Sequence, residues 1–229
     1  MVSLVPSATE TLVALGVWPV GCTRFCDLTG VPTVGGTKNV DIDAVCALEP
    51  DLVVVNDEEN RVEDAHALEA RGLTLHSMSP RSVVDVGQAV CSLAGAIGTE
   101  PPALFDGWDA WRAHTCARAR VSAFIPIWRR PWMSLSSDTY GSSLLAHAGI
   151  VNVFGDVVER YPEVSLTEVA SRAPQVVLLP SEPYAFADRH ASELREALPG
   201  ARTAFVDGRD LFWWGTRTPD AARRLQSLR

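Results

Sequence analysis

Basic residues are in short supply. Lys and Arg number 20 against 28 Asp and Glu, which leaves a net charge of −8. Nucleic acid as the main partner would require a basic surface, so this balance argues against it. No run of apolar residues is long enough to cross a bilayer. The HExxH, G-x-S-x-G, P-loop and G-x-G-x-x-G signatures are all missing, so no motif points to a zinc protease, serine hydrolase, NTPase or dinucleotide enzyme. Histidines are few and scattered, at His66, His76, His114, His147 and His190. The cysteines are Cys22, Cys26, Cys46, Cys91 and Cys116, an odd count that leaves at least one thiol unpaired in a monomer. Cys46 and Cys91 fall in apolar helical patterns, which favours a reducing compartment. Cys22 and Cys26 flank Thr-Arg-Phe but have neither a second close pair nor a neighbouring histidine, so they make a poor metal site.

What is present is a chain of 229 residues, 47% hydrophobic and 21% charged, enough for a proper core in one domain or two small ones. Strand and helix patterns alternate. In the first half Val2–Val5, Val20–Thr23, Leu52–Val55 and Leu73–His76 read as strands. Helices are expected from Ser7 to Leu15, from Asp41 or Asp43 to just before Pro50, from Val62 to Ala70 and from Ser82 to Ala96. Ser7 is the expected cap of the first, with Glu10 at the capping-box position. In the second half Val121–Ile127, Val176–Leu179 and Thr203–Val206 read as strands. Helices there are expected at Thr139–Ala148, Leu166–Arg172, Ala191–Ala197 and from Pro219 onward. Such alternation means parallel sheets with helical cover.

The halves repeat. SATETLVALG at 7–16 matches YGSSLLAHAG at 140–149, and VCALEPDLVVV at 45–55 matches VASRAPQVVLL at 169–179. In the second pair a helix stops at a proline and drops into a buried strand. Between the halves, Thr99 to Arg120 reads as one long helix, with Thr99 as N-cap, Pro101 and Pro102 in its first turn, and Leu104, Trp108, Trp111 and Thr115 along one face. The expected fold is α/β, with two lobes, each a mainly parallel sheet flanked by helices, joined by one long backbone helix. Residues 1–98 form the N-terminal lobe, 99–120 the linking helix and 121–229 the C-terminal lobe.

Open parallel sheets bind ligands beyond the carboxyl ends of their strands. That rule selects Pro6-Ser7, Asn56 to Arg61, Trp128 to Trp132, Ser181 to Phe186 and Phe212 to Arg217. Trp128-Arg129-Arg130-Pro131-Trp132 offers flat apolar faces and fixed positive charge, suited to a large, partly planar ligand bearing carboxylates. The plainer alternative packs the tryptophans inward and leaves the arginines in solvent. Asp57-Glu58-Glu59, followed by Asn60, suits a metal, acid–base work or a partner; the alternative is a solvated turn capping the next helix. Trp213 and Trp214 with Arg217 close the site from the second lobe, or else one indole is core and Arg217 caps the last helix. Tyr184 and Phe186 are rim aromatics or ordinary packing. Arg24 and Phe25, in the loop after the second strand, complete the ligand-facing set. Gly35-Gly36-Thr37-Lys38 lacks phosphate-loop spacing and reads as a turn with Lys38 exposed.

Taken together, VSLVPSATE at 2–10, GGTKN at 35–39, PDLV at 50–53, NDEEN at 56–60 and WRRPW at 128–132 resemble the helical-backbone metal-receptor superfamily. This is the class III periplasmic-binding-protein fold, which includes vitamin B12 and ferric-siderophore or haem binding proteins of ABC importers. The resemblance covers essentially the whole chain. It implies two α/β lobes, a rigid linking helix, and a ligand captured between lobes with little hinge motion. It also implies docking of outer acidic residues onto a permease, with Glu10 as the first-lobe candidate and Asp138 or Glu163 as the second. Iron-binding relatives often supply His or Tyr from cleft loops. This chain places few there, which favours an intact chelate or corrinoid over a bare ion.

The function expected from the resemblance is a substrate-binding protein of ABC-importer type. It captures a corrinoid (cobalamin-like) or ferric chelate as ligand, with no covalent cofactor, no resident metal site and no chemistry of its own. The alternative is a cytoplasmic enzyme or metal/cofactor chaperone on the same scaffold, using Asp57, Glu58 or Glu59 with Arg129 and Arg130. A third reading is a lobe pair that serves a partner protein. Met1 leads straight into the first strand, so the expected location is cytoplasmic as the chain stands, and periplasmic or extracellular if an export segment lies upstream.

Overall fold

The computed structural model describes residues 1–113 and 120–229. The chain divides into two compact units. The first holds Met1–Pro80, Asp85–Trp108 and Trp214–Thr216; the second holds Arg81–Val84, Asp109–Trp213 and Arg217–Arg229.

The first unit is built from β1 (Val2–Ser3), α1 (Pro6–Ala14), β2 (Gly21–Cys22), β3 (Gly35–Gly36), β4 (Asn39–Val40), α2 (Ile42–Ala47), β5 (Val53–Val55), α3 (Val62–Ala70), β6 (Leu75–Ser77) and α4 (Val83–Ala96), whose first two residues group with the second unit. Its sheet runs β2-β1-β5-β6, with every pair parallel. Val53 and Val54 have no exposed surface, as the unbroken β-branched run predicts for a strand covered on both faces. Val2, Leu4, Val45 and Leu68 pack with them. Asp41 caps α2, its carboxylate accepting from Ala44 N–H at 3.0 Å. Ser7 does not cap α1. The helix starts one residue earlier with Pro6, Val5 holds the cap position, and the Ser7 hydroxyl is buried with no partner among the described residues. Proline is favoured in a first helical turn because its missing N–H is not needed there.

The expected continuous helix from Thr99 is not found. Residues 99–102 are irregular, Ala103–Phe105 is one 3₁₀ turn, and α5 spans Trp108–Ala113; residues 114–119 lie outside the described residues. The cause is local. A residue before proline is pushed out of the α region, and Pro101-Pro102 imposes this on both Glu100 and Pro101; Pro102 itself is extended at ψ 142° as the cap of the 3₁₀ turn.

The second unit contains β7 (Val121–Phe124), α6 (Tyr140–His147), β8 (Ile150–Asn152), α7 (Leu166–Ser171), β9 (Val176–Pro180), α8 (Asp188–Ala197), β10 (Arg202–Val206), α9 (Arg209–Phe212) and α10 (Thr218–Gln226). Its sheet runs β10-β9-β7-β8, again all parallel. Both sheets share one plan: the second strand lies outside the first, and the third and fourth follow on the other side. β8 was not expected from sequence. The internal match extends to the backbone. Glu49 and Ala173, each just before its helix-stopping proline, adopt the left-handed conformation at φ 44° and 45°. That conformation ends a helix, and proline forbids the right-handed alternative. Thr139 and Ser165 cap α6 and α7 through their hydroxyls. Among the described residues no helix is long and apolar enough to cross a membrane.

The hairpin β3–β4 depends on Gly35, which sits at φ 90° and would drive a Cβ into the Asn39 carbonyl oxygen. Gly35→Ala is expected to lower stability by at least ~1–2 kcal/mol, the cost of the left-handed backbone alone. The check is the urea midpoint at unchanged m-value.

Candidate functional site

The carboxyl end of the second unit's sheet carries a cluster of rings. Trp128 follows β7 and is 45% exposed. It meets Tyr184, from the loop after β9, edge-on at 5.3 Å between centroids. Tyr184 packs on Phe186 at 4.8 Å, and Trp132 stacks parallel to Phe186 at 6.0 Å and 3°. The Trp128–Met133 and Met133–Glu163 bridges hold this turn to the rest of the unit. Within WRRPW the two alternatives of the sequence analysis split by residue. Trp128 faces outward, whereas Trp132 packs against the core around Phe124 and Phe154. Arg129 lies over the Trp132 ring at 5.6 Å and is tied to Glu193 by contacts of 2.7 and 2.9 Å. Arg130 is exposed, left-handed at φ 73°, and pairs with no carboxylate among the described residues. Trp128 and Arg130 are therefore the outward, uncommitted pair, while Arg129 and Trp132 brace them.

His190 completes the cluster and was missed from the sequence. Its ring stands edge-on to Tyr184 at 5.4 Å and to Phe186 at 5.6 Å, and it is 2% exposed. Its Nδ1 accepts from the Ala187 N–H at 3.0 Å at the start of α8. The other ring nitrogen, Nε2, lies 3.4 Å from the Tyr184 hydroxyl and faces the Nε–H of Arg189 at 3.1 Å. Burial holds the His190 pKa below the ordinary 6.5; Arg189 and Arg129 add to this, and Glu193 opposes it. The one available signal was a polar side chain three residues into a helix that lacks a Ser, Thr or Asp cap.

The expected wall of Trp213, Trp214 and Arg217 is not open. Trp213 is 9% exposed and Trp214 only 3%, and the two fall in different units. Arg217 stands at the N-cap position of α10, and its guanidinium pairs with buried Asp210 at 3.0 Å. Arg224 grips the same carboxylate at 2.6 Å. A buried carboxylate needs such partners, so Arg217 is committed to the fold. Trp213 lies under both Arg209 and Arg217 and donates to Glu182. Burial pushes the Glu182 carboxyl up, against the Trp213 hydrogen bond. For Asp207 burial acts the same way but is outweighed by Arg209 and Arg217, which bring its pKa below the ordinary value.

In the first unit the loop after β5 is tied by two amides. Asn56 Oδ1 accepts from the N–H groups of Glu58 and Glu59 at 2.7 and 3.1 Å, and its amide donates to Met78 O. Asn60 Oδ1 accepts from Asn56 N–H, and its Nδ2 donates to Leu4 O and Thr37 O. Asn60 is thus buried with both amide hydrogens used internally, so it holds the loop. Asp57 is exposed; Glu58 and Glu59 are half-buried. Lys38 is exposed as expected and donates to Glu58 O at 2.6 Å. Arg24 lies over the exposed Phe25 ring at 4.8 Å and rests on Gly36, where a Cβ would come within 2.9 Å. Among the described residues no group of three or more His, Cys, Asp or Glu is placed to hold a metal ion. What the second unit's surface offers is an exposed indole beside the outward guanidinium of Arg130; the first unit's offers Arg24 over Phe25 and the acids of the loop after β5.

The state of His190 makes stability pH-dependent. Its folded pKa lies below 6.5, so its contribution is complete above that value and is lost as the pH falls beneath it, where the unfolded chain takes up the proton first. His76, whose pKa burial also lowers, acts in the same direction. His190→Gln is expected to flatten the acid-side fall of the melting temperature between neutral and mildly acidic buffer. An unchanged slope would assign that fall to other groups.

No family model matches the chain. It is 23% identical over 190 residues to a vitamin B12-binding protein of Salmonella choleraesuis, covering 78% of this chain and 71% of that one. The crystal structure of the periplasmic vitamin B12 binding protein BtuF of Vibrio cholerae matches with a TM-score of 0.80 at 19% identity, over 99% of this chain and 94% of that one. The periplasmic heme-binding protein RhuT of Roseiflexus sp. RS-1, in apo form, gives 0.83 at 20% identity, over 99% and 95%. At such identities the likeness to solved structures is one of fold. The chain shares the two-sheet α/β fold of these periplasmic binding proteins.

Proposed function

We propose that the chain is the substrate-binding component of an ABC-type importer, and that it captures a corrinoid or ferric chelate without altering it. The observation that carries this reading is Trp128. A large indole left 45% exposed, edge-on to Tyr184 and two residues from an uncommitted arginine, has the chemistry of a platform for a flat ligand. The names of the relatives, vitamin B12 and heme binding, support the same ligand class. The periplasmic setting in two of those names supports work outside the cytoplasm. Arg24 and Phe25 form a second ligand-facing set at the carboxyl end of the first unit's sheet.

For permease docking, half-buried Glu10 on α1 remains the first-unit candidate. In the second unit Glu163 is preferred over Asp138. Glu163 is exposed, whereas Asp138 already pairs with Arg160 at 3.3 Å and Arg81 at 3.6 Å. For the enzymatic alternative, Arg129 is already paired with Glu193, which leaves Arg130 as the arginine of the pair that it could use.

Calorimetric titration with cyanocobalamin, and separately with hemin, tests the proposal. One of the two is expected to bind saturably and to be recovered unchanged. Trp128→Ala should weaken that binding by ~1–3 kcal/mol, as for other stacked anchors, with the melting temperature preserved. Glu58→Gln should leave affinity intact. Heat signals absent with both ligands, or turnover abolished by Glu58→Gln, would overturn it.

A further inference from the structure

Cys22 and Cys26 stand together at the carboxyl end of the first unit's sheet. Cys22 ends β2 and is the register partner of Ser3 on β1, so the two side chains leave the same face of the sheet. Thr9 Oγ1 donates to Ser3 Oγ at 2.8 Å and lies 3.1 Å from Cys26 Sγ. Cys26 is thus returned to the face from which Cys22 projects. A tight turn makes the return: Cys26 N–H donates to Thr23 O at 3.1 Å, and Thr23 Oγ1 lies 3.3 Å from Cys26 Sγ. The two thiols differ in exposure. Cys22 is 2% exposed, while Cys26 is only half-buried.

We propose that Cys22 and Cys26 are a disulfide-forming pair, oxidised by a small-molecule disulfide, whose bond closes the loop carrying Arg24 and Phe25. This inference stands apart from the identity of the ligand. Cys26, the accessible sulfur, attacks as thiolate on one sulfur of the oxidant. That S–S bond breaks, one thiolate leaves, and a mixed disulfide remains on Cys26. Cys22 then loses its proton to solvent and attacks Cys26 Sγ, which expels the second thiolate. Two cysteine thiols are oxidised by two electrons, and one small disulfide is reduced to two thiols. Burial, with Cys26 beside it, pushes the Cys22 thiol up to about 12, so the second step is the slow one. The product suits an oxidising compartment. It would fix the three residues between the sulfurs, one of which, Arg24, rests on Gly36.

The sequence supplies a direct readout, because trypsin cuts at Arg24, between the two sulfurs. The intact protein is incubated with oxidised glutathione in mildly alkaline buffer, free thiols are alkylated, and the digest is weighed. The expected product is peptide 1–24 joined to peptide 25–38, separating on reduction. Cys26→Ser should abolish the joined species, and Cys22→Ser should stop at a glutathione adduct on Cys26. Exposed Cys91 reports that the oxidant was active. Alkylated Cys22 and Cys26 beside glutathionylated Cys91 would overturn the proposal, as would a lasting adduct on Cys26 in the unaltered chain. Cys26→Ser touches the less buried position, so the test survives if Cys22→Ser does not fold.

Discussion

A strand buried on both faces, with a parallel neighbour on each side, must have every backbone group paired and every side chain packed. β5 and β9 are such strands, and the rest of each unit follows from them. Their register is fixed at entry. Glu49 and Ala173 end the preceding helices in the left-handed conformation, and Pro50 and Pro174 prevent the helix from running on. A helix that overran by one residue would turn the strand's side chains to the wrong face. Once β5 and β9 are set, parallel pairing gathers the loops that carry Asn56 to Asn60, Trp128 and Tyr184 at the carboxyl ends of the strands. The site is a by-product of burying the strands.

The two units solve the strand end differently. In the first, two asparagines do it with hydrogen bonds: the side chains of Asn56 and Asn60 serve six backbone groups, counting Asn56's own N–H as one of them. Buried amides fully satisfied in this way are rigid, and the acids between them inherit a fixed backbone. In the second, rings do it by packing. Trp132, Phe186, Tyr184 and His190 interlock, and His190 supplies the one polar pin by accepting from the Ala187 N–H. A polar knot presents charge at a set position. A ring cluster presents a flat apolar face whose outermost member, Trp128, is still unsatisfied. The difference is what makes the second unit the better platform.

The fold was largely legible because its signals are local. The repeat of VCALEPDLVVV and VASRAPQVVLL encodes helix, stop and buried strand within eleven residues each, and the structure has all three in both. β8 was illegible because Ile150–Asn152 is short and lies at a sheet edge, with Val151 39% exposed between two buried neighbours. The linking helix was overextended because side-chain periodicity ignores the backbone cost of consecutive prolines. The site was legible as a set of loops but not as a set of faces. Which of Trp128, Arg129, Arg130 and Trp132 points outward is decided by the left-handed turn at Arg130 and by Glu193, more than sixty residues away. His190 was hidden for a similar reason, since a helical pattern does not say which rings will meet it.

These commitments bear on the charge of a suitable ligand. The run of two arginines suggested a site for several carboxylates. In the structure one of the pair is neutralised by Glu193, and Arg217 is spent on Asp210. Within the second unit's cluster that leaves Arg130 as the guanidinium turned outward beside Trp128, with Arg189 turned onto His190, in a chain of net charge −8. A polyanion would meet one local attraction against a general repulsion. A ligand with a broad flat body, a mostly neutral rim and a single anionic group would use Trp128 and Arg130 without that penalty. A corrinoid, whose ring is fringed by neutral amides and carries one phosphate, fits this description better than a chelate edged with several free carboxylates. The same reasoning explains why the neutral state of His190 matters. A protonated imidazole beneath Tyr184 would add a further cation beside Arg129 and Arg189, and burial, with those two charges, holds its pKa down.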